Sequence, residues 1–225
     1  CFIYSYFSIM QKYLEKLVDQ AEVIFWDFDG VIKDSVEVKS IAFEKLFSDY
    51  DQNLADRVRE HHERNGGVSR FEKIPLYLSW SNEVITSKKV QEFCNRFSLL
   101  VKQSVIDSPW VHGFLEFIER HHKEKKHILV TATPIEEIEE ILQELNIKHF
   151  FYKIYGAPNT KNDAINETLR SLKIGSEHAI MLGDSESDYK AAKDNNVLFF
   201  LRSTELNKNL QSACKDWIFK DFINE

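Results

Sequence analysis

The sequence predicts an α/β fold: a Rossmann-like parallel sheet with helices on both faces, interrupted by an inserted all-helical subdomain. Three observations carry this. The apolar run Val23-Ile24-Phe25-Trp26 ends in Asp27-Phe28-Asp29-Gly30 and reads as a buried parallel strand closed by a glycine turn. After residue 107, short apolar runs alternate with amphipathic helical patterns, as crossover connections of a parallel sheet require. Between these two regions lie roughly 70 residues of helical pattern without a strand signal, too many for a simple crossover.

Each element has its own warrant. Tyr13, Leu14, Leu17 and Val18 repeat at helical spacing, so a short helix over residues 11–20 precedes the first strand. In the insert, Val36, Ile41, Phe43, Leu46 and Phe47 fall within one helical run. Further runs follow near 54–64, 71–80 and 88–105, broken at Gly66-Gly67 and again at Asn82. Asp107-Ser108-Pro109-Trp110 marks the return from the insert. Then come a helix over 114–122, a buried strand over 127–131, and a helix over 134–145. Thr133 is expected to cap that helix, with Pro134 first and Glu136 three after the cap. The alternation continues with strands over 151–155, 179–182 and 197–201, and helices over 163–172, 187–195 and 206–213. The expected division is a core domain of residues 10–34 and 107–225, a helical cap subdomain of residues 35–106, and an extra segment of residues 1–9.

Composition narrows the function. The 225 residues are 43% hydrophobic and 29% charged, an ordinary globular balance able to bury a large core. A net charge of -7 disfavours a nucleic-acid partner, because backbone binding needs clustered Lys and Arg. Cys1, Cys94 and Cys214 are widely spaced and form no metal or redox motif, so reduced thiols and a cytoplasmic location are expected. Cys94 reads as a helix-buried thiol rather than a nucleophile. The aromatic segment from Cys1 to Ile9 is too short to span a bilayer and lacks the flanks of a signal peptide. The expected native start is Met10, with no membrane association. The pairs His61-His62 and His121-His122 read as surface residues, since adjacent helical residues do not face each other.

The chemistry gathers at strand ends, where open α/β sheets place it. A first Asp followed at +2 by a second suits phosphoryl transfer: Asp27 can attack phosphorus while Asp29 handles the leaving-group proton. Thr131, Ala132 and Thr133 combine a hydroxyl with free amides at a helix start, a natural phosphate cradle. Lys161, at a helix entry, would balance a carboxylate packed against a phosphate. Gly183-Asp184-Ser185-Glu186-Ser187-Asp188 supplies two more acids after a buried strand. Acids converging at one sheet edge repel each other unless a divalent cation neutralises them, and hard oxygen ligands beside a phosphate site point to Mg²⁺.

DFDGVIKDS (27–35), LVTATP (129–134), the Lys161 region and MLGDSESD (181–188) resemble, in order and spacing, the four motifs of the haloacid dehalogenase-like phosphohydrolase superfamily. The helical insert resembles the C1-type cap of its phosphoglycolate phosphatase and β-phosphoglucomutase branch. Ser108-Pro109-Trp110-Val111-His112-Gly113 resembles that branch's return to the core. The resemblance runs from Val23 to Leu201.

It implies an enzyme that hydrolyses a small phosphate monoester, a sugar phosphate or a phosphoglycolate-like compound, acting as a monomer or homodimer. Asp27 would be the nucleophile and form an aspartyl-phosphate. Asp29 would be the general acid and base, its carbonyl also touching Mg²⁺. Thr131 and the Ala132 amide would hold phosphate, and Lys161 would steady Asp27. Asp184 and Asp188 would complete the metal site. Two departures stand out. Asn162 follows Lys161 where relatives carry proline, leaving Lys153 as a rival, and Lys39 stands where relatives often carry His. Dehalogenases and phosphonatases of this superfamily generally lack an acid at +2, so Asp29 favours a phosphatase, with a β-phosphoglucomutase-type phosphomutase or a non-catalytic binding module as alternatives.

Within the insert, Gly66-Gly67 permits close backbone approach to a ligand. Arg70 and Lys73, three apart at a helix start, share a face that could meet a second anionic group or sugar hydroxyls. Gly67, Arg70 and Lys73 are therefore the candidate substrate contacts of the cap, and Trp80, Phe93 and Phe97 its candidate core.

Overall fold

The computed structural model describes residues 12–82, 84–214 and 217–223. The expectations for Cys1, residues 1–9 and Met10 lie outside this range. Helix α1 covers residues 12–20 and leads into strand β1, Val23–Trp26. Six parallel strands follow the order β3-β2-β1-β4-β5-β6, where β2 is Lys126–Pro134, β3 Lys153–Ala157, β4 Ala179–Gly183, β5 Leu198–Arg202 and β6 Ile218–Phe219. The chain leaves β1 toward β2 and β3, then crosses back to build β4, β5 and β6 on the other side. This reversal opens a crevice at the carboxyl end of β1, and Asp27 stands at its mouth.

The strand is buried along its whole length because both faces are covered. Ile24 and Trp26 enter one apolar cluster, Val23 and Phe25 another, as the two-residue repeat of a strand dictates. Trp26 packs edge-on against Phe114 and Phe117 and donates its Nε1–H to His127 Nδ1 at 2.8 Å.

The insert forms helices α2 (Val36–Phe47), α3 (Gln52–Arg64), α4 (Arg70–Trp80) and α5 (Ser87–Asp107). Breaks fall at the positive-φ residues Gly67 and Asn82. Phe43, Phe47, Tyr77, Phe93 and Phe97 make its interior, with the Phe43 and Phe97 rings 4.0 Å apart; Trp80 is only partly buried at its margin. The segments that enter and leave the insert lie side by side. Asp34 N–H donates to Pro109 O at 2.8 Å, and Val111 N–H donates to Ile32 O at 3.0 Å. A paired double crossing of this kind defines a hinge line better than a single linker would.

Helices α6 (Phe114–His121), α7 (Ile135–Glu144), α8 (Lys161–Leu172), α9 (Glu186–Asp194) and α10 (Lys208–Ala213) complete the core. Several expectations need correction. Thr133 does not cap α7: β2 runs on to Pro134 with a register shift between Val130 and Pro134, and the helix begins at Ile135 without a side-chain cap. The shift lifts residues 131–133 out of the ladder. The short strand β6, too brief to show an alternating pattern, was not expected. His62 and His121 are buried rather than on the surface, each on the apolar stripe of its helix. Among the described residues, no helix is long and apolar enough to cross a membrane.

Candidate active site

The turn after β1 is tight. Asp27 Oδ1 accepts the Phe28 amide at 2.8 Å, which fixes the carboxylate's orientation. Gly30 adopts φ +74°, and a side chain there would strike Asp184 Oδ2, so this glycine lets the acidic loop after β4 close on the first strand. Helix α9 opens with a capping box in which Asp188 Oδ2 accepts from Ser185 N–H at 3.1 Å and from Ser185 Oγ at 2.6 Å. Its Oδ1 remains free to accept Lys161 Nζ at 2.5 Å, and the same ammonium lies 2.9 Å from Asp27 Oδ2. Thr160 caps α8 by accepting from Asp163 N–H at 3.1 Å, so Lys161 is the first residue of the helix and is aimed by it. Lys153, the rival, pairs on the surface with Glu167 at 2.7 Å.

Asp27, Asp184 and Asp188 each bring a carboxylate oxygen to within 4.8 Å of the others. Burial, with Asp188 beside it, pushes Asp27 up to about 7 against the pull of Lys161. Burial and Asp27 push Asp184 well above the carboxylate range. Burial alone would lower Lys161, but Asp188 and Asp27 outweigh it and hold the ammonium above its ordinary value. Asp27 and Asp188 are buried and Asp184 partly so; three hard oxygen donors face one ammonium, and the raised Asp27 and Asp184 show that Lys161 alone does not meet their mutual repulsion. That donor set fits Mg²⁺, and Asp27, Asp184 and Asp188 are the side chains able to hold it.

Asp29 lines the same cavity but is not one of this triad. Its Oδ1 accepts from Ser35 Oγ at 2.6 Å, and its Oδ2 pairs with Lys39 of α2. Lys39 also donates to Thr133 Oγ1 at 2.9 Å. Thr131 is buried and its Oγ1 accepts from Thr133 N–H at 3.2 Å, leaving Ala132 at the crest of the lifted segment. These residues line a cavity of about 70 Å³ between sheet edge and insert.

The cap residues are placed unevenly. Gly67 lines the cavity with φ +73°, against Ser185 and Ser187 of the acidic loop. Arg70 reaches the cavity, but its guanidinium is engaged by Glu137 of α7 through two bonds of 2.6 and 2.8 Å, and by Ser98 at 2.6 Å. Lys73 does not line the cavity. It sits behind His62, its Nζ 3.0 Å from Nδ1, because position 73 turns toward α3 rather than toward the core.

Lys39 and His62 were missed as site residues, and Thr133, expected beside the phosphate cradle and as a cap, instead accepts from Lys39. A signal existed for both. Lys39 interrupts the apolar stripe formed by Val36 and Phe43 on α2, and His62 ends the stripe of Leu54, Ala55 and Val58 on α3. A polar residue on a buried stripe needs a reason to be there.

Residues 23–201 match the model of the haloacid dehalogenase-like hydrolases. The chain belongs to that family. It is an enzyme of that hydrolase class. It is 23% identical over 195 residues to a phosphoglycolate phosphatase of Colwellia psychrerythraea, covering 80% of this chain and 83% of the relative. Among solved structures it is similar to a predicted phosphoglycolate phosphatase from Haemophilus somnus, with TM-score 0.70 at 19% identity over 90% of this chain and 95% of that one. It is also similar to a β-phosphoglucomutase from Clostridium difficile, with TM-score 0.68 at 18% identity over 91% and 92%. The likeness to these structures is one of fold.

Proposed function

We propose that this hydrolase is a Mg²⁺-dependent phosphatase of small organic phosphate monoesters, acting through an aspartyl-phosphate on Asp27. The observation that carries the reading is the Asp27 carboxylate, held by its own turn, 2.9 Å from Lys161 and beside Asp184 and the buried Asp188. An Asp27 oxygen attacks phosphorus, and the bond between phosphorus and the ester oxygen breaks as Asp29 gives that oxygen a proton. Asp29 then takes a proton from water, whose oxygen attacks phosphorus and returns Asp27 as a free carboxylate. Thr131 and the Ala132 amide orient the phosphoryl oxygens, and Lys161 offsets their charge. Mg²⁺, held by Asp27, Asp184 and Asp188 with the Asp29 carbonyl, would neutralise charge on the transferring group. The block Val36–Asp107 acts as a cap that excludes bulk water. Its ties to the core include Lys39 to Asp29, Arg70 to Glu137, and Lys102 to Glu140 at 2.6 Å. The substrate is a small phosphorylated metabolite, and the working unit is a monomer or homodimer.

The test is phosphate release from a panel of small monoesters, with and without Mg²⁺, beside Asp27→Asn. Mg²⁺-dependent release that disappears in the variant is the expected result. Turnover retained by Asp27→Asn removes Asp27 from the nucleophile role. Release by the wild type only after a bisphosphate is added would move the reading to a phosphomutase.

A further inference from the structure

The reaction above uses the core wall of the cavity and leaves most of the cap wall without a task. That wall carries Lys39, His62 and Arg70. Lys39 is answered by Asp29 and Arg70 by Glu137. His62 is answered by a cation instead. Its Nδ1 lies 3.0 Å from the Nζ of Lys73, which is 2% exposed. Among the described residues, no carboxylate lies within ion-pair distance of this ammonium. Glu72, beside it in sequence, is exposed, and Asp29 is already paired. Phe43 closes another side, with its ring 4.7 Å from the His62 ring and 5.8 Å from Nζ.

A buried ammonium whose polar partner is an imidazole is a costly arrangement for stability alone. It becomes favourable once an anion arrives beside it. When Lys73 is an ammonium it can only donate, so Nδ1 accepts and the ring's remaining donor is Nε2–H. Burial and Lys39 hold Lys73 down to about 7, and burial and Lys73 hold His62 well below its usual range, so an incoming negative charge draws a proton onto the pair near neutrality.

We propose that His62, backed by Lys73, is a cap-borne subsite for an anionic group on the leaving group, and that it selects small phosphate monoesters bearing their own carboxylate. The proposal rests on the phosphatase reading and narrows it.

The test compares 2-phosphoglycolate with 2-hydroxyethyl phosphate, which replaces the carboxylate by a hydroxymethyl group. Binding is read by calorimetry with Mg²⁺ in the Asp27→Asn protein, alone and combined with Lys73→Met or His62→Gln. The Asp27→Asn protein is expected to prefer the carboxylate compound by about tenfold or more, and each added substitution to remove most of that preference. Affinity for 2-hydroxyethyl phosphate should stay within about twofold. Lys73→Met should melt no lower than its parent, since it removes an unanswered buried charge. Loss of both ligands alike, or no preference in the Asp27→Asn protein, overturns the subsite. Wild-type protein that releases no phosphate from either compound fails the phosphatase reading instead, and the binding preference still decides the subsite.

Discussion

The two walls of the cavity are charged in opposite senses. On the core wall, Asp27, Asp184 and Asp188 surround one ammonium, Lys161. On the cap wall, Lys39, Arg70 and the His62–Lys73 pair stand together, and the carboxylates that answer them, Asp29 and Glu137, both come from the core. The core wall is short of positive charge and the cap wall of negative charge. The core's deficit is local, built by loops after β1 and β4 and by the start of α8, so it exists however the cap sits. The cap's surplus is balanced only by docking, which ties substrate recognition to closure.

Removing Lys161 is the strongest way to break this comparison. Lys161→Met leaves three acids without their ammonium. Phosphatase activity should fall by about 10³-fold, as for loss of a main electrostatic group at a reacting centre. Stability without metal should fall by about 1–3 kcal/mol, because protonation of Asp27 and Asp184 offsets part of the stranded charge, and added Mg²⁺ should recover much of the melting temperature. A variant that melts like the wild type without metal would show that Lys161 does not offset charge on these carboxylates.

Arg70 is the corresponding test on the cap side. The guanidinium is 4% exposed and bidentate to Glu137, so Arg70→Met strands a buried carboxylate between α4 and α7. A cost of about 3 kcal/mol is expected, felt first as opening of the cap. KM should rise more than kcat falls, and amides of α4 should lose exchange protection. The double variant Arg70→Met/Glu137→Leu should recover most of the stability without restoring KM. Equal exchange protection in wild type and Arg70→Met would mean that the pair does not hold the cap closed.

The difference between the walls also explains what could be read in advance. Asp27, Asp29, Lys161, Asp184 and Asp188 follow strands or open helices, positions that the alternation of patterns marks directly. A parallel sheet then brings those ends together without further information. The capping box that locks Asp188 is likewise local. The cap contacts are of another kind. Arg70 meets a residue 67 positions away and Lys39 one 94 away, across a hinge whose closure no local pattern encodes. Arg70 and Lys73 were correctly placed on the first turns of one helix, yet one turns to the core and the other to α3, a separation that only tertiary packing creates. Thr133 was misread because the cap rule fits its neighbours well, and the register shift in β2 overrides it.

Gly67→Ala perturbs the contact between the walls without touching a charge. With φ +73°, an added Cβ would lie 2.0 Å from Ser187 Oγ and 2.4 Å from Ser185 Oγ. Those serines can rotate, but Ser185 also caps α9 and holds Asp188. The expected cost is about 1 kcal/mol of stability, from the left-handed backbone. Activity should fall about tenfold through displacement of the acidic loop, a loss of the kind that small misplacements produce. Gly67→Ala with wild-type kcat would show that the cap loop does not bear on the metal-side acids.

A pH effect, with no change expected in activity at neutral pH, separates a histidine of the core from the one on the cap. His127 is fully buried, and its Nδ1 accepts the Trp26 indole N–H. Burial holds it down to about 4, against 6.5 unperturbed. The folded state therefore favours the neutral ring. Its contribution is fully present above about pH 6.5, is lost as pH falls toward about 4, and is flat below that. His127→Gln keeps an acceptor for Trp26 and removes the titration. Between pH 7 and pH 4, wild type should lose about 3 kcal/mol more than the variant. His62 titrates in the same direction and keeps its part of the slope in both proteins. Under the subsite proposal, saturating 2-phosphoglycolate with Mg²⁺, added to the Asp27→Asn forms of both proteins so that it is not consumed, should change the His62 part and leave the His127 part alone, because only His62 lines the cavity. The measurement is denaturant unfolding across pH, with and without that compound. Parallel curves for wild type and His127→Gln would remove His127 from the acid limb. A ligand effect that disappears in His127→Gln would assign the anion response to the wrong histidine.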